Sequence, residues 1–236
     1  MSDLLSLLLY LGAGAFVAGV VFWVFRYFTT PVPLQIPVTT APFTTTGVVF
    51  RMLREVLLFE SLFKASRWTW LCGWVFHVAL LFVLLCHLRF FTNPVWDWVN
   101  AIAPYSKYGG ILMFAGLVGL LIRRIVVQRV RFISTPSDYL MLLLFLCLAG
   151  SGLLMRYKFY IDLYTLQQFA LGLRSFSFNE LPPSAMLVVH LTMVGLLLLV
   201  FPFSKLVHAI GVFFSPSRNQ RDTNRKHHRI KPQKSP

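Results

Sequence analysis

Five apolar stretches dominate the sequence, and each has about the length that a helix needs to cross a bilayer. A spanning helix requires about 20 mostly apolar residues, because the hydrocarbon core is about 30 Å thick. The stretches are residues 4–25, 70–91, 104–122, 139–154 and 184–214. Backbone polar groups find no water in hydrocarbon, so apolar segments of this kind form helices. We therefore predict an all-α integral membrane protein, a bundle of five transmembrane helices formed by residues 1–214.

The composition excludes a soluble globule with a single anchor. Hydrophobic residues make up 57% of the chain, charged residues only 13%, and the mean hydropathy is +0.69. The net charge is +14, but the basic residues flank the apolar stretches or lie in the last 22 residues. We therefore expect a membrane lipid environment and no nucleic-acid partner.

The distribution of Lys and Arg predicts the orientation of the bundle. Seventeen of these residues lie after the first stretch, after the third, or on the C-terminal side. The loops on the other side contain five, which are Arg89, Lys107, Arg156, Lys158 and Arg174. Short cytoplasmic loops are enriched in Lys and Arg. The N-terminus is therefore predicted outside and the C-terminus in the cytoplasm, which agrees with an odd number of spans.

An amphipathic segment lies between the first two spans. Residues 30–46 are rich in Pro and Thr, and residues 47–64 carry apolar side chains at helical spacing with charged side chains on other faces. This pattern predicts a helix on the cytoplasmic surface. The helix is either a segment that rests on lipid or a docking face for a cytoplasmic partner.

Two further segments lie outside the predicted spans. Residues 155–183 form a long aromatic loop on the outer side, in which residues 161–173 are compatible with a short interfacial helix. This loop either caps a site near the outer surface or simply connects two helices. Residues 215–236 form a basic tail that is predicted to be disordered, with His227 and His228 as solvated side chains.

Four histidines lie inside apolar spans, His77 and His87 in the second and His190 and His208 in the fifth. Ionisable side chains in hydrocarbon are costly and usually functional. The two spans run in opposite directions, so His77 is level with His208 near the cytoplasm and His87 with His190 near the outside. Two opposed imidazole pairs suit two haems, since each porphyrin supplies the other four nitrogens to its iron.

The spacings of the two histidine pairs differ. His190 and His208 are 18 residues apart, which in one helix is five turns and about 27 Å, with both side chains on one face. His77 and His87 are 10 residues apart, about 15 Å along the axis. We expect helix tilt and a kink at Pro202 to absorb this difference.

Three other interpretations of the histidines have distinct requirements. Intramembrane histidines can bridge helices by hydrogen bonding, as in an anchor without redox activity. Zinc or copper sites usually gather three or four ligands, whereas each level here has two. A proton-relay transporter requires acidic partners inside the spans, and none of the eight Asp and Glu residues lies at mid-span.

Three motifs resemble the membrane cytochrome b subunit of respiratory nitrate reductase, the gamma subunit. They are FHVALLFVLLCH (76–87), MFAG (113–116) and FPFSKLVH (201–208), and the resemblance extends over residues 68–214. It implies that the chain exchanges electrons between quinol and cytoplasmic iron–sulfur subunits through two haem b groups. His77 and His208 would then bind the inner haem, and His87 and His190 the outer haem beside the quinol site.

Residues 61–91 resemble a sister branch more closely, the cytochrome b of the membrane complex linked to dissimilatory sulfite reductase. That branch implies a multi-pass protein of the prokaryotic cytoplasmic (inner) membrane that acts in dissimilatory sulfur metabolism. Its implied partners are a cytoplasmic iron–sulfur subunit related to heterodisulfide reductase, an extracytoplasmic multihaem cytochrome and another membrane subunit. The nitrate branch has a glycine before the outer ligand and a quinol-binding lysine. Here Cys86 precedes His87, and Lys107 is out of register.

Four basic residues lie near the predicted haem levels. Arg89 and Lys107 are candidates for the outer haem propionates or the quinone, and Arg67 and Lys205 for the inner propionates. Each is equally compatible with a side chain that snorkels to the membrane interface. No residue is predicted to be catalytic, and the direction of electron flow stays open.

Overall fold

The computed structural model describes residues 2–31 and 41–222, and this part of the chain consists of helices joined by short connections. Five helical segments are long and apolar enough to cross a membrane, so the predicted five-helix membrane bundle is confirmed. We number the α-helices in chain order. They are α1 (Ser2–Thr29), α2 (Thr45–Leu58), α3 (Glu60–Ala65), α4 (Arg67–His87), α5 (Asp97–Ile102), α6 (Ser106–Val126), α7 (Gln128–Ile133), α8 (Pro136–Tyr157), α9 (Leu163–Arg174), α10 (Ala185–Val200), α11 (His208–Phe214) and α12 (Pro216–Asn219).

Polar residues cap the starts of two spanning helices. At α8, Thr135 and Asp138 form a reciprocal capping box, and Pro136 occupies the first turn. The Ser66 hydroxyl accepts the backbone N–H of Thr69 at the start of α4. Such caps satisfy N–H groups that have no partner within their own helix. Such caps matter more in a membrane, because hydrocarbon contains no water to which an unpaired backbone group could form a hydrogen bond.

Close helix packing runs in the order α4, α6, α8, α10, α1. A Cβ atom at Gly116 of α6 would lie 2.9 Å from the backbone oxygen of Cys72 in α4, so this pair approaches closely only because Gly116 has no side chain. Phe76, Leu117 and Phe145 form the buried core of α4, α6 and α8. Helix α4, which carries His77 and His87, is thus connected through α6 and α8 to α10, which carries His190.

The fifth span differs from the prediction of one kinked helix over residues 184–214. Helix α10 ends at Val200, two 3₁₀ turns follow at Phe201–Phe203 and Lys205–Val207, and α11 begins at His208. Pro202 has no N–H to donate, and Ser204 between the turns is extended, with ψ 172°. The expectation that His190 and His208 are five turns apart on one helix is therefore wrong.

The segments outside the spans form their own short helices. The predicted amphipathic helix over residues 47–64 is two helices, α2 and α3, separated at Phe59. The interfacial helix predicted in the outer loop is present as α9. The basic tail begins with α12, which packs on α2. The Pro/Thr stretch at 32–40 and the tail from 223 onward, with His227 and His228, lie outside the described residues.

Candidate functional site

The four intramembrane histidines come together in two pairs. The rings of His77 in α4 and His208 at the start of α11 have centroids 6.1 Å apart, with an angle of 84° between their planes. At the other end of α4, His87 lies near enough to His190 of α10 for an electrostatic interaction between the two imidazoles. These are the pairs that the order of the spans predicts.

Three of the histidines donate a hydrogen bond from Nδ1 to a carbonyl of their own helical segment. His77 bonds to Gly73 and His87 to Val83, both at 2.7 Å, and His208 bonds to Lys205 at 2.8 Å. A carbonyl oxygen only accepts, so Nδ1 carries the hydrogen in each ring. Nε2 is then the unprotonated nitrogen with a lone pair, which is the form of imidazole that ligates a metal.

His190 reaches the same tautomer through a different partner. Its Nδ1 lies 2.8 Å from the Ser151 hydroxyl on α8, and that hydroxyl is 3.0 Å from the carbonyl oxygen of Leu148. The hydroxyl has one hydrogen, which it donates to Leu148, so its oxygen accepts the Nδ1–H of His190. All four histidines therefore present Nε2 as the free donor nitrogen.

The spacing of the His77–His208 pair fits one metal ion between the two rings. A ligating nitrogen is about 2 Å from a metal and about 1 Å from its ring centre, so two rings on opposite sides of one ion have centres about 6 Å apart. Within residues 2–31 and 41–222, no three His, Cys, Asp or Glu side chains gather as a metal site. A two-ligand pair in an apolar bundle fits haem, which brings four nitrogens of its own.

Two aromatic side chains contact the ring of His77. The Phe59 ring lies 5.1 Å from the His77 ring at 89°, and the Phe76 ring lies 4.8 Å away at 72°. His77 and His190 are half-buried, whereas His87 and His208 are exposed in the isolated chain. The aromatic contacts restrict the rotation of His77 and exclude water from one side of its ring.

The four basic residues predicted near the haem levels have other partners in the structure. Lys205 forms an ion pair with Asp138 at 2.8 Å, and Asp138 also lies 3.4 Å from Arg124. The other three cations stack on neighbouring aromatic rings, Arg67 on Phe63, Arg89 on Phe90 and Lys107 on Tyr108. This geometry favours interface anchoring for the latter three. Their pairing with propionates or quinone stays a prediction.

Sequence reasoning did not single out Ser151 or Phe59, although both contact a histidine ring. Ser151 lies between two glycines inside an apolar span, and small polar residues in such spans commonly bond across helices. That pattern was an available signal for Ser151. No sequence signal pointed to Phe59, because its left-handed backbone and its approach to His77 depend on how α2 and α3 fold onto α4.

The comparisons with known proteins identify a family and two similar membrane subunits. The model of the nitrate reductase gamma subunit family matches residues 34–219. The chain is 33% identical to the Hdr-like menaquinol oxidoreductase cytochrome b-like subunit of Archaeoglobus fulgidus, with 94% of this chain and 81% of the relative covered. The corresponding protein of Archaeoglobus profundus is also 33% identical, with 94% and 80% covered.

Proposed function

The chain belongs to the nitrate reductase gamma subunit family, and from this premise we propose that it is a dihaem b-type cytochrome subunit that exchanges electrons between membrane quinone and a cytoplasmic iron–sulfur partner. His77 and His208 would hold one haem, and His87 and His190 the other. The observation that carries the proposal is the shared tautomer of the four rings, each of which leaves Nε2 as a ligand.

A haem in each pair would supply a one-electron carrier. The protein contributes the orientation of the ligands. The Nδ1–H bonds to Gly73, Val83 and Lys205 hold three rings against their helical segments, and such bonds also make the ligating nitrogen a better donor. His77 and His87 are separated by 10 residues, about 15 Å along α4. The two ligand levels are therefore stacked through the bilayer.

We propose that quinone binds near the His87–His190 level and that the partner docks at the opposite, basic end of the bundle. The count of 17 against five Lys and Arg residues supports a cytoplasmic position for the basic end. The printed name of the relatives, Hdr-like menaquinol oxidoreductase, supports menaquinone as the quinone and a partner related to heterodisulfide reductase. We further propose the complex of dissimilatory sulfur metabolism, with a further membrane subunit and an extracytoplasmic multihaem cytochrome, rather than a nitrate reductase, because residues 61–91 resemble that branch more closely.

The haem assignment is tested by spectra of the subunit purified with its native complex or alone in detergent. We expect two haem b per wild-type chain, and His77→Ala and His190→Ala should each remove one and leave the other. His227→Ala in the basic tail is the matched control and should keep both. A wild-type protein without haem would establish a non-redox anchor, and variants that retain both haems would contradict the ligand assignment.

The orientation and the quinone are tested separately. A reporter fused to the C-terminus that is active only in the cytoplasm should be active, and the same reporter at the N-terminus should be silent; the reverse pattern would contradict the topology. Menaquinol added to oxidised membranes should reduce the haems of the wild type. The His190→Ala variant should lose rapid reduction by menaquinol, whereas retention of the full rate would argue against quinone at the His87–His190 level.

A further inference from the structure

His190 differs from the other three histidines in what holds its ring. The others donate Nδ1–H to a backbone carbonyl three or four residues earlier. Every residue has a backbone carbonyl, so these bonds cannot be deleted by a substitution of the residue that accepts them. His190 instead donates to the hydroxyl of Ser151, which belongs to α8, 39 residues earlier in the chain. The ring also interacts with the backbone carbonyl of Leu148, so the Ser151 hydroxyl is the contact of this ring that a substitution can remove.

The surroundings of Ser151 make this hydrogen bond specific. Ser151 is 5% exposed, and its hydroxyl hydrogen is directed to Leu148, so a carbonyl, a hydroxyl and an imidazole form one chain of hydrogen bonds. Hydrogen bonds in such chains strengthen one another. A Cβ added at Gly152 would lie 3.5 Å from Cε1 of His190, so the residue after Ser151 also lies on the side of α8 that faces the ring.

We propose that Ser151 is the positioning residue for His190 and that it tunes the electron affinity of the outer haem alone. This inference rests on the proposed function. The bond to Ser151 keeps the hydrogen on Nδ1 and increases electron donation from Nε2 to the iron. Removal of the hydroxyl weakens that donation, which stabilises the ferrous over the ferric iron. The inner haem, whose ligands bond to their own backbone, is unaffected.

The test is a redox titration of both haems in the purified subunit, combined with the electron paramagnetic resonance spectrum of each ferric haem. In Ser151→Ala we expect one haem to shift to a more positive potential. The expected change is about tenfold in its reduced-to-oxidised ratio at fixed ambient potential, or about 59 mV for a one-electron couple. The signal of that haem should also change, because the ring loses one of the hydrogen bonds that orient it. The other haem should keep both its potential and its signal.

Two further variants separate the hydroxyl from general effects. Ser151→Thr retains a hydroxyl and should restore the wild-type potential. Ser6→Ala removes another buried serine hydroxyl, 1% exposed and on α1, and should change neither haem. If Ser151→Ala loses only the outer haem while Ser151→Thr keeps it, the inference is also supported.

The failure of the inference is distinct from the failure of the proposed function. A wild-type protein that binds no haem would overturn the proposed function. Two haems in the wild type, with an unchanged potential in Ser151→Ala, would overturn only the role of Ser151. Equal shifts of both haems, or the same shift in Ser151→Thr, would likewise overturn it, since neither outcome depends on one hydroxyl at one ligand.

Discussion

Phe59 occupies the break between α2 and α3 in a left-handed backbone conformation, with φ 52° and ψ 47°. This conformation costs an L residue about 1–2 kcal/mol, whereas glycine adopts it freely. Contacts with the end of α2, just before Phe59, maintain it. The indole N–H groups of Trp70 and Trp74 donate to the carbonyls of Leu58 and Leu57 at 2.7 and 2.9 Å. We therefore predict that replacement by glycine is better tolerated here than replacement by alanine.

The predicted difference follows from comparing two variants that lose the same ring. Phe59→Ala and Phe59→Gly both lose the 5.1 Å contact with His77, so that loss cancels between them. Glycine avoids the left-handed penalty of about 1–2 kcal/mol but gains about 0.4–1 kcal/mol of extra freedom in the unfolded chain. The net preference for glycine is about 1 kcal/mol. Inside a right-handed helix, alanine is instead favoured by about 0.5–1 kcal/mol.

Hydrogen exchange of the purified protein in detergent measures this difference locally. The backbone N–H of Phe63 bonds to the carbonyl of Phe59 at 2.9 Å, so its exchange reports the opening of α3. About 1 kcal/mol corresponds to about fivefold slower exchange in Phe59→Gly than in Phe59→Ala. At Leu62, inside α3, the same pair of substitutions should give the opposite order. Equal exchange in the two Phe59 variants, or faster exchange in Phe59→Gly, would refute the argument.

Three further predictions concern the packing and charges of the bundle. Gly116→Leu should lower the free energy of unfolding by about 1–3 kcal/mol, measured by denaturation in mixed micelles, because backbone of α4 lies within 2.9 Å of the added Cβ; unchanged stability would contradict the close approach. Lys64 donates a hydrogen bond to Glu60 and holds the pKa of that carboxyl below its ordinary value, so this pair stabilises α3 above the ordinary pKa and is lost as the pH falls through the lowered pKa. The protection of α3 amides, taken relative to the intrinsic exchange rate at each pH, should therefore fall with acid in the wild type and stay constant over this range in Glu60→Gln. Trp74→Phe should remove the bond to the Leu57 carbonyl and speed exchange at the end of α2, while thermal unfolding of the spanning helices stays near that of the wild type.

The sequence predicted the number and places of the spanning helices, because each depends on a local run of apolar residues. The helix predicted over residues 161–173 followed from an equally local pattern and is present as α9. The pairing of His77 with His208 needed only the direction of two spans. The same local reasoning failed at the fifth span, where it extended one helix through residues 201–207.

The physical reason for that failure is that Pro202 permits either a kink or a break. A kinked helix and the observed pair of 3₁₀ turns both lack the same N–H bond. Neighbouring groups select the break. The indole N–H of Trp23 in α1 donates to the Pro202 carbonyl at 2.8 Å, and the Ser204 hydroxyl accepts the N–H of Leu206. A partner on another helix cannot be inferred from the spacing of residues along one segment.

Hydrophobic length and the charge asymmetry of the loops are properties of the chain itself, and they were sufficient to predict a five-helix membrane protein with two levels of opposed histidines. The details that distinguish one histidine from another come from folding. Ser151 meets His190 because α8 packs between α6 and α10, and Phe59 meets His77 because α2 and α3 fold back onto α4. Each contact joins residues from separate helices, so it exists only once the bundle has assembled.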